Sequence, residues 1–268
     1  MEPWCAILVG LQNTSAEAAE WAEQALPPAP PWAWLTAAGL LLLLTILVVQ
    51  ALARRRLYRG SEVLGPSSLA AVRAAIEEAE KRTIGEIVPV VLDRSDRYPA
   101  ADLWSGILFA LAAYLAAWAL PLELGPGGLL TVALGAGLLG WLLSRTLPEL
   151  RRRFVAPWRM TEMAEEQAFQ EFFAHGLHRT AEQTGVLLFV SLFERRVVVM
   201  AAEGIDAKVP PGTWKDVHGL VLKGAREGRL GAGLVAAVQR IADHLAEEFP
   251  WREGDRNELP DRVIVRPE

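Results

Sequence analysis

The sequence predicts an α/β fold, an α/β/α sandwich around a small mixed sheet, joined to three transmembrane helices. Three observations carry this. Val186–Phe193 is almost wholly apolar and Arg196–Ala201 is rich in valine, with only Glu194 and Arg195 between them; the pattern suits a hairpin buried on two faces. Amphipathic stretches lie before and after that hairpin and supply helical layers for a sheet. Three stretches, 33–53, 103–120 and 129–143, carry no charged residue and approach or reach the length that crosses a hydrocarbon core of about 30 Å.

In chain order, residues 1–31 form an N-terminal extension in which Ser15–Leu26 has modest helical amphipathicity and Pro27, Pro28, Pro30 and Pro31 end it. The first transmembrane helix occupies 32–56. Trp32 and Trp34 mark one interface, and Arg54, Arg55, Arg56, Tyr58 and Arg59 mark the other. Basic residues follow this span rather than precede it, which favours an uncleaved anchor over a signal peptide. The first part of the globular domain covers 66–100. There Ser67 or Ser68 can cap a helix whose Leu69, Val72, Ile76 and Ala79 share one face. Glu86–Leu92 follows as a buried strand, with Pro89 pointing to a bulge or an edge position.

Residues 102–146 read as a transmembrane hairpin. Gly106, Ala110, Ala113 and Ala117 on one arm, and Ala133, Ala136, Gly137 and Gly140 on the other, suit close helix contact. The second part of the domain, 150–268, opens with arginines and a helix over Met160–Ala181. In that helix Met163, Phe169 or Phe172, and Phe173 face inward, and Glu162, Glu165, Glu166 and Glu171 face outward. After the strand hairpin come helices near Trp214–Glu227 and Gly231–Phe249, and a short final strand within Arg262–Val265. Trp214 reads as an anchor at its helix start.

Charge sets the orientation and narrows the partners. Arginines flank the cytoplasmic ends of all three spans, whereas 1–30 and 121–128 contain neither Lys nor Arg. The positive-inside rule then places the amino terminus outside an inner membrane and both globular parts in the cytoplasm. The net charge of −5 gives no reason to expect nucleic acid. With 52% hydrophobic residues, lipid is one expected partner, and Arg151–Arg153 with Arg159 read as a topology signal that touches headgroups. The lone Cys5 excludes an internal disulfide, and four histidines without cysteine partners argue against structural zinc.

The residues TIGEIVPVV, then SDRYP, then AEEQAFQEFFAHGLHRTAEQTGVLLFVSLFERRVVVMAAEGIDAKVP, and the closing NELPD resemble the bacterial TPM domain over Ser67–Pro99 and Met160–Asp261. The resemblance is to a membrane-bound subgroup in which a transmembrane hairpin is inserted after the first strand. It implies the same layered fold and a role in assisting membrane complexes, since plant thylakoid members are associated with photosystem repair and an animal member is a receptor auxiliary subunit. It also implies an alternative, because plant members are credited with metal-dependent phosphatase activity.

The familiar catalytic templates GxxxxGK[ST], HExxH and GxSxG are absent. Carboxylates remain. A seven-residue strand separates its ends by roughly 20 Å, so Asp93 and Asp206 cannot share one ion. If the first strand and Val186–Phe193 run parallel through a right-handed crossover, the membrane-facing edge gathers Asp93, Asp96, Glu194, Arg195 and Arg196. The far edge gathers Glu86, Glu203 and Asp206, with Lys208 near. Only that second group offers three carboxylates without neutralising arginines, so Glu86, Glu203 and Asp206 are the metal candidates, for calcium or another divalent cation, against the plain reading of solvated loop acids. His175 and His178 in HGLH are either a capping pair or a partial metal or acid/base site, and no third ligand accompanies them. The favoured function is a non-catalytic structural or regulatory module serving a membrane protein complex; the alternative is a divalent-metal-dependent phosphatase.

Overall fold

The computed structural model describes residues 49, 55–120, 124–210, 212–253, 257–260 and 262–266. The N-terminal extension and nearly all of the first expected transmembrane helix lie outside these residues. Two units are distinguished, Met1–Gln50 and Ala51–Glu268, and every element below belongs to the second.

Strands β1 (Glu86–Leu92), β2 (Gly185–Ser191), β3 (Arg196–Ala201) and β4 (Ile264–Arg266) form a mixed sheet in the order β3-β2-β1-β4. β1 runs parallel to β2 without a break in register, from Glu86 opposite Gly185 to Leu92 opposite Ser191. β2 and β3 are antiparallel, and β4 is parallel to β1. The expected hairpin is therefore present, but it starts its turn at Leu192 rather than at Glu194. β3 is half-buried along its whole length, not buried on two faces, because it is the edge of the sheet and, among the described residues, no strand pairs with its outer side.

Pro89 sits in an interior strand with no bulge. The bonds from the Glu86 amide to the Thr184 carbonyl and from the Asp93 amide to the Arg266 carbonyl fix the alternation of β1. The nitrogen of Pro89 therefore faces the β4 side, where pairing covers Val90–Leu92 only. The missing donor falls where the ladder has already ended.

Seven helices are labelled here: α1 (Pro66–Glu80), α2 (Pro99–Ala119), α3 (Pro126–Thr146), α4 (Pro148–Arg153), α5 (Pro157–Ala174), α6 (Lys215–Arg226) and α7 (Leu230–Glu248). Strand alternation divides the core. Ile87, Val91, Val186, Leu188 and Val190 face α1, α6 and α7, whereas Val88, Val90, Leu92, Leu187 and Phe189 face Ala164, Ala168 and Phe172 of α5. The sheet is thus covered on both faces. A third cluster, including Tyr58, Tyr98, Met160 and Phe193, closes one end of it.

Two helix details differ from expectation. α1 starts at Pro66 with Gly65 as its N-cap and no side-chain cap bond, so neither Ser67 nor Ser68 caps it. Proline at the first position has no amide to satisfy and its fixed φ suits the helix. In α5 the buried stripe is Met160, Ala164, Ala168, Glu171 and Phe172, while Phe169 and Phe173 are exposed and Met163 is half-buried. Two alanines let the helix approach the sheet closely, and that turns the aromatic pair outward. Glu171, expected outside, is 2% exposed. It accepts from Gln167 Nε2 at 3.2 Å and Arg266 Nη1 at 3.0 Å, and His175 Nε2 lies 2.9 Å from its other oxygen. A buried carboxylate needs such partners, and Arg266 supplies one from β4.

α2 and α3 are each 21 residues long and apolar enough to cross a membrane. At 1.5 Å per residue that is about 31 Å, close to the hydrocarbon thickness. Small residues bring the two together as expected. Added methyl groups at Gly106 and Gly140 would lie 3.1 Å from the Gly137 carbonyl oxygen and 2.6 Å from the Phe109 side chain, and Ser105 Oγ donates to the Gly140 carbonyl at 3.0 Å. Only 28% and 11% of their apolar stretches are buried, unlike the core helix of a globular protein.

Gly185, at the start of β2, permits a close approach of backbone to backbone. A methyl group there would lie 2.3 Å from the Leu177 carbonyl oxygen, whereas at Gly219, on the exposed side of α6, it would meet nothing within 4 Å. Gly185→Ala is expected to destabilise the protein by about 1–3 kcal/mol, and Gly219→Ala to stabilise it by up to about 1 kcal/mol through helix propensity. Thermal melts of both variants in detergent check the opposite signs.

Candidate functional site

The densest polar arrangement among the described residues lies where the sheet meets the base of the α2–α3 hairpin. Five chain segments converge there: the chain before α1, the end of β1 with the loop into α2, the last turns of α3, the short α4, and the β2–β3 turn.

Glu194, in the turn, is fully buried. Its carboxylate accepts from the Ser95 amide at 3.1 Å, from the Tyr98 hydroxyl at 2.8 Å, and from the Ser191 hydroxyl. The backbone is bent to achieve this. Tyr98 and Arg195 have φ of 47° and 55°, a left-handed conformation that a bulky residue adopts only when its surroundings hold it. Tyr98 stacks on Phe193 with centroids 5.4 Å apart, which supplies that hold on one side. The Tyr98 hydroxyl is pushed far above its usual range, first by burial and then by the neighbouring Glu194 carboxylate.

Arg195 turns outward and binds the Tyr58 hydroxyl and Glu149, which also bind each other. Burial, followed by the bond to Glu149, pushes Tyr58 up to about 12. For Glu149, burial alone would raise the carboxyl, but the Tyr58 hydroxyl and the Arg195 guanidinium outweigh it and hold the group below its ordinary value.

Behind this group, Asp102 and Arg151 form a two-pronged ion pair, Nε to Oδ1 at 2.9 Å and Nη2 to Oδ2 at 2.8 Å, and Ser144 Oγ donates to Oδ1 at 2.7 Å. Both charged side chains are more than nine-tenths buried. The three residues come from α2, α3 and α4. Arg152, next in α4, donates to the Glu194 backbone carbonyl at 3.3 Å and so reaches the sheet. Arg151–Arg153 therefore do not act as one exposed basic run: Arg151 is an internal strut. Close by, a cavity of about 210 Å³ is lined by Tyr58, Arg59, Asp93, Arg94, Arg145 and Arg151 among others. Asp93 accepts from the Gly60 amide at 2.6 Å and its carboxyl is raised, chiefly by burial.

The expected sorting of charges between the sheet ends agrees with this placement. Asp93, Glu194 and Arg195 stand at the hairpin end, and Glu86 stands at the other. The metal candidates, however, do not assemble. Glu86 is buried and accepts from the Glu258 amide at 2.8 Å, whereas Glu203 and Asp206 are exposed on a single helical turn, Glu203–Asp206. Among the described residues no group of three or more His, Cys, Asp or Glu could hold a metal ion. Glu86 turns to a loop from the far end of the chain, which sequence spacing does not reveal. Lys208 lies over the Phe249 ring, 4.4 Å from its centroid.

The two histidines of HGLH also separate. His175 caps α5 and pairs with Glu171, while His178 packs on the Phe173 ring at 4.7 Å and accepts from Arg179 Nε at 3.2 Å. His244 approaches Asp216 at 3.1 Å and meets the edge of Trp214, which is the N-cap of α6 and packs as the expected anchor. Asp102, Ser144, Tyr58, Tyr98 and Glu149 are the residues that sequence reasoning missed. One signal was available: Asp102 is the single charged residue of α2, and an acid in an apolar helix calls for a partner.

Removing one member of the buried pair leaves an uncompensated charge. Arg151→Met is expected to destabilise the folded protein by about 3–5 kcal/mol, and the double change Asp102→Leu with Arg151→Met to recover most of that loss. Denaturation of the three proteins in the same detergent checks the non-additivity. Glu149 gives a pH test. Its folded pKa is depressed from an ordinary 4.5, so its contribution is complete above that value and fades as pH falls through the lower folded pKa. Glu149→Gln is expected to lower stability near neutral pH and to flatten the acid limb of the stability profile below about pH 4.5.

No curated protein matches the chain. A solved structure with a similar trace is the BA42 protein of the psychrophilic bacterium Bizionia argentinensis, determined by NMR. It has 19% identity and a TM-score of 0.48, with 77% of this chain and 97% of that one covered. Residues 154–244, which hold α5, β2, β3, α6 and most of α7, match the family model of the TPM domain, and over that stretch the family resemblance carried by the sequence is shown.

Proposed function

We propose that this chain is a membrane-anchored TPM-domain module that acts by binding, holding its sheet domain at a fixed height on the bilayer while it assists a membrane protein complex. One observation carries the reading. The buried Asp102–Arg151–Ser144 contact and the Arg152 bond to Glu194 join the base of an apolar helical hairpin to the end of the sheet. The outer face of that hairpin is uncovered: Trp104, Leu111, Leu138 and Trp118 are 52–71% exposed. An apolar face of that extent is what a helix pair offers to lipid.

The arrangement favours binding over turnover. Glu194, the most deeply buried acid of the junction, is enclosed by three donors and has no surface open to a substrate. The ionic partners of Asp102 and Glu149 are arginines in structural contacts, so neither is poised as a base. The orientation follows from the same end of the hairpin: Arg94, Arg97, Arg145, Arg151 and Arg152 flank it, which supports a cytoplasmic sheet domain by the positive-inside rule.

A labelling experiment in native membranes tests both statements. In a Cys5→Ser background, Leu111→Cys and Leu138→Cys are expected to resist a membrane-impermeant maleimide until denaturing detergent is added. Arg229→Cys is expected to react only after the cells are opened. Free labelling at the two leucine positions would remove the anchor, and labelling of Arg229→Cys in intact cells would reverse the orientation. Release of phosphate from a phosphomonoester that requires a divalent cation and is lost in Asp206→Ala would replace the binding reading with a hydrolase.

A further inference from the structure

We infer that the cavity at the hairpin base is an anion site that takes a phosphate group. Its wall holds four arginines, Arg59, Arg94, Arg145 and Arg151, against one carboxylate, Asp93. That carboxylate is already turned to the Gly60 amide. The arginines come from four separate segments: the chain before α1, the loop after β1, the last turn of α3, and α4. Glu62 and Asp102 pair with Arg59 and Arg151, and together with Asp93 they leave the cavity one positive charge in excess, which an anion completes.

Arg151, Arg145 and Arg59 are each held in place by something other than the ligand. Arg151 gives Nε and Nη2 to Asp102, which fixes its plane. Its remaining donors belong to a fork suited to phosphate oxygens. Arg145 stacks over Trp141 with its guanidinium carbon 4.7 Å from the ring centroid. Arg94 is half-buried and held below its usual range, first by burial and then by Arg151 and Arg97, which records the crowding of positive charge. Arg59 rests on Glu62 at 3.3 Å at the mouth.

Size restricts the ligand. The cavity, about 210 Å³, is smaller than the roughly 300–1,000 Å³ of sites that enclose drug-sized molecules. It suits one phosphate group with a short substituent. Two sources share that chemistry: free inorganic phosphate and the headgroup of an anionic phospholipid. The site stands on the arginines and the cavity; only the lipid source rests on the membrane reading. If lipid is the source, Arg145, in the last turn of α3, lies at the level where headgroups meet the hydrocarbon.

The test uses the full chain in phosphatidylcholine nanodiscs. One arm follows inorganic phosphate by phosphorus NMR titration; the other replaces part of the lipid with phosphatidic acid and measures retained phosphatidic acid by native mass spectrometry. Wild type is compared with Arg59→Gln/Arg145→Gln, with Arg59→Gln alone, which alters only an exposed side chain, and with Lys81→Gln/Lys223→Gln, which removes equal charge elsewhere. Saturable binding of inorganic phosphate, weakened roughly tenfold or more in the arginine double variant and in part by Arg59→Gln, with the lysine variant unchanged, establishes the site with free phosphate as its ligand. The same ranking for retained phosphatidic acid, without binding of inorganic phosphate, establishes the headgroup. No binding in either arm, or equal losses in the arginine and lysine variants, overturns the proposal. A chain that stays embedded yet binds no phosphate defeats this inference and leaves the anchored-module reading standing.

Discussion

The architecture depends on the buried pair Asp102–Arg151. Two charges taken out of water bring a desolvation penalty that their attraction need not exceed, so such a pair is poor evidence of added stability. Its consequence here is positional. Asp102 stands in the first turn of α2, Ser144 in the last turns of α3, and Arg151 in α4, so one carboxylate fixes three helices relative to one another. The adjacent Arg152 continues the chain of contacts to the Glu194 carbonyl in the β2–β3 turn. Rotation of the hairpin against the sheet would break charged bonds in a dry setting, where their loss is expensive.

That coupling explains why a helical hairpin can be inserted into the sheet domain without disturbing it. The insertion leaves from the end of β1 and returns through α4 and α5, and the register between β1 and β2 is unbroken across seven pairs. Alternation along both strands keeps two separate cores filled, one beneath α1, α6 and α7 and one beneath α5. The sheet therefore has two chemically distinct ends. The hairpin end is closed by Tyr58, Tyr98 and Phe193 and ringed with arginines. The opposite end holds Glu86, engaged with the Glu258 amide, near the exposed turn of Glu203 and Asp206.

Sequence patterns reported their own range of interaction. Strand alternation, helix spacing and the small residues of the hairpin act between near neighbours, and β1, β2, β3, α1, α6, α7 and the Gly106–Gly137 contact were all legible. The failures lie where a partner is remote. Glu171 looks solvated until Arg266 arrives from β4, and Phe169 and Phe173 look buried until Ala164 and Ala168 set the rotation of α5. Pro89 reads as an edge residue until the short β4 shows which side of β1 lacks a partner at that point. Spacing likewise grouped Glu86 with Glu203 and Asp206, but not the direction in which Glu86 turns.

By itself the sequence determined the strands and their helical cover, the two long apolar helices, and the gathering of arginines at one end of them. These follow from periodicity and composition, which are properties of each segment. Only the tertiary structure decided that Arg151 is an internal strut rather than a surface charge, that Tyr98 and Arg195 bend the backbone around a buried Glu194, and that four arginines share one cavity. The physical reason is that a charge, unlike an apolar face, does not announce its partner: the strength of an ion pair or hydrogen bond is set by distance and dielectric, and both exist only once the chain has folded.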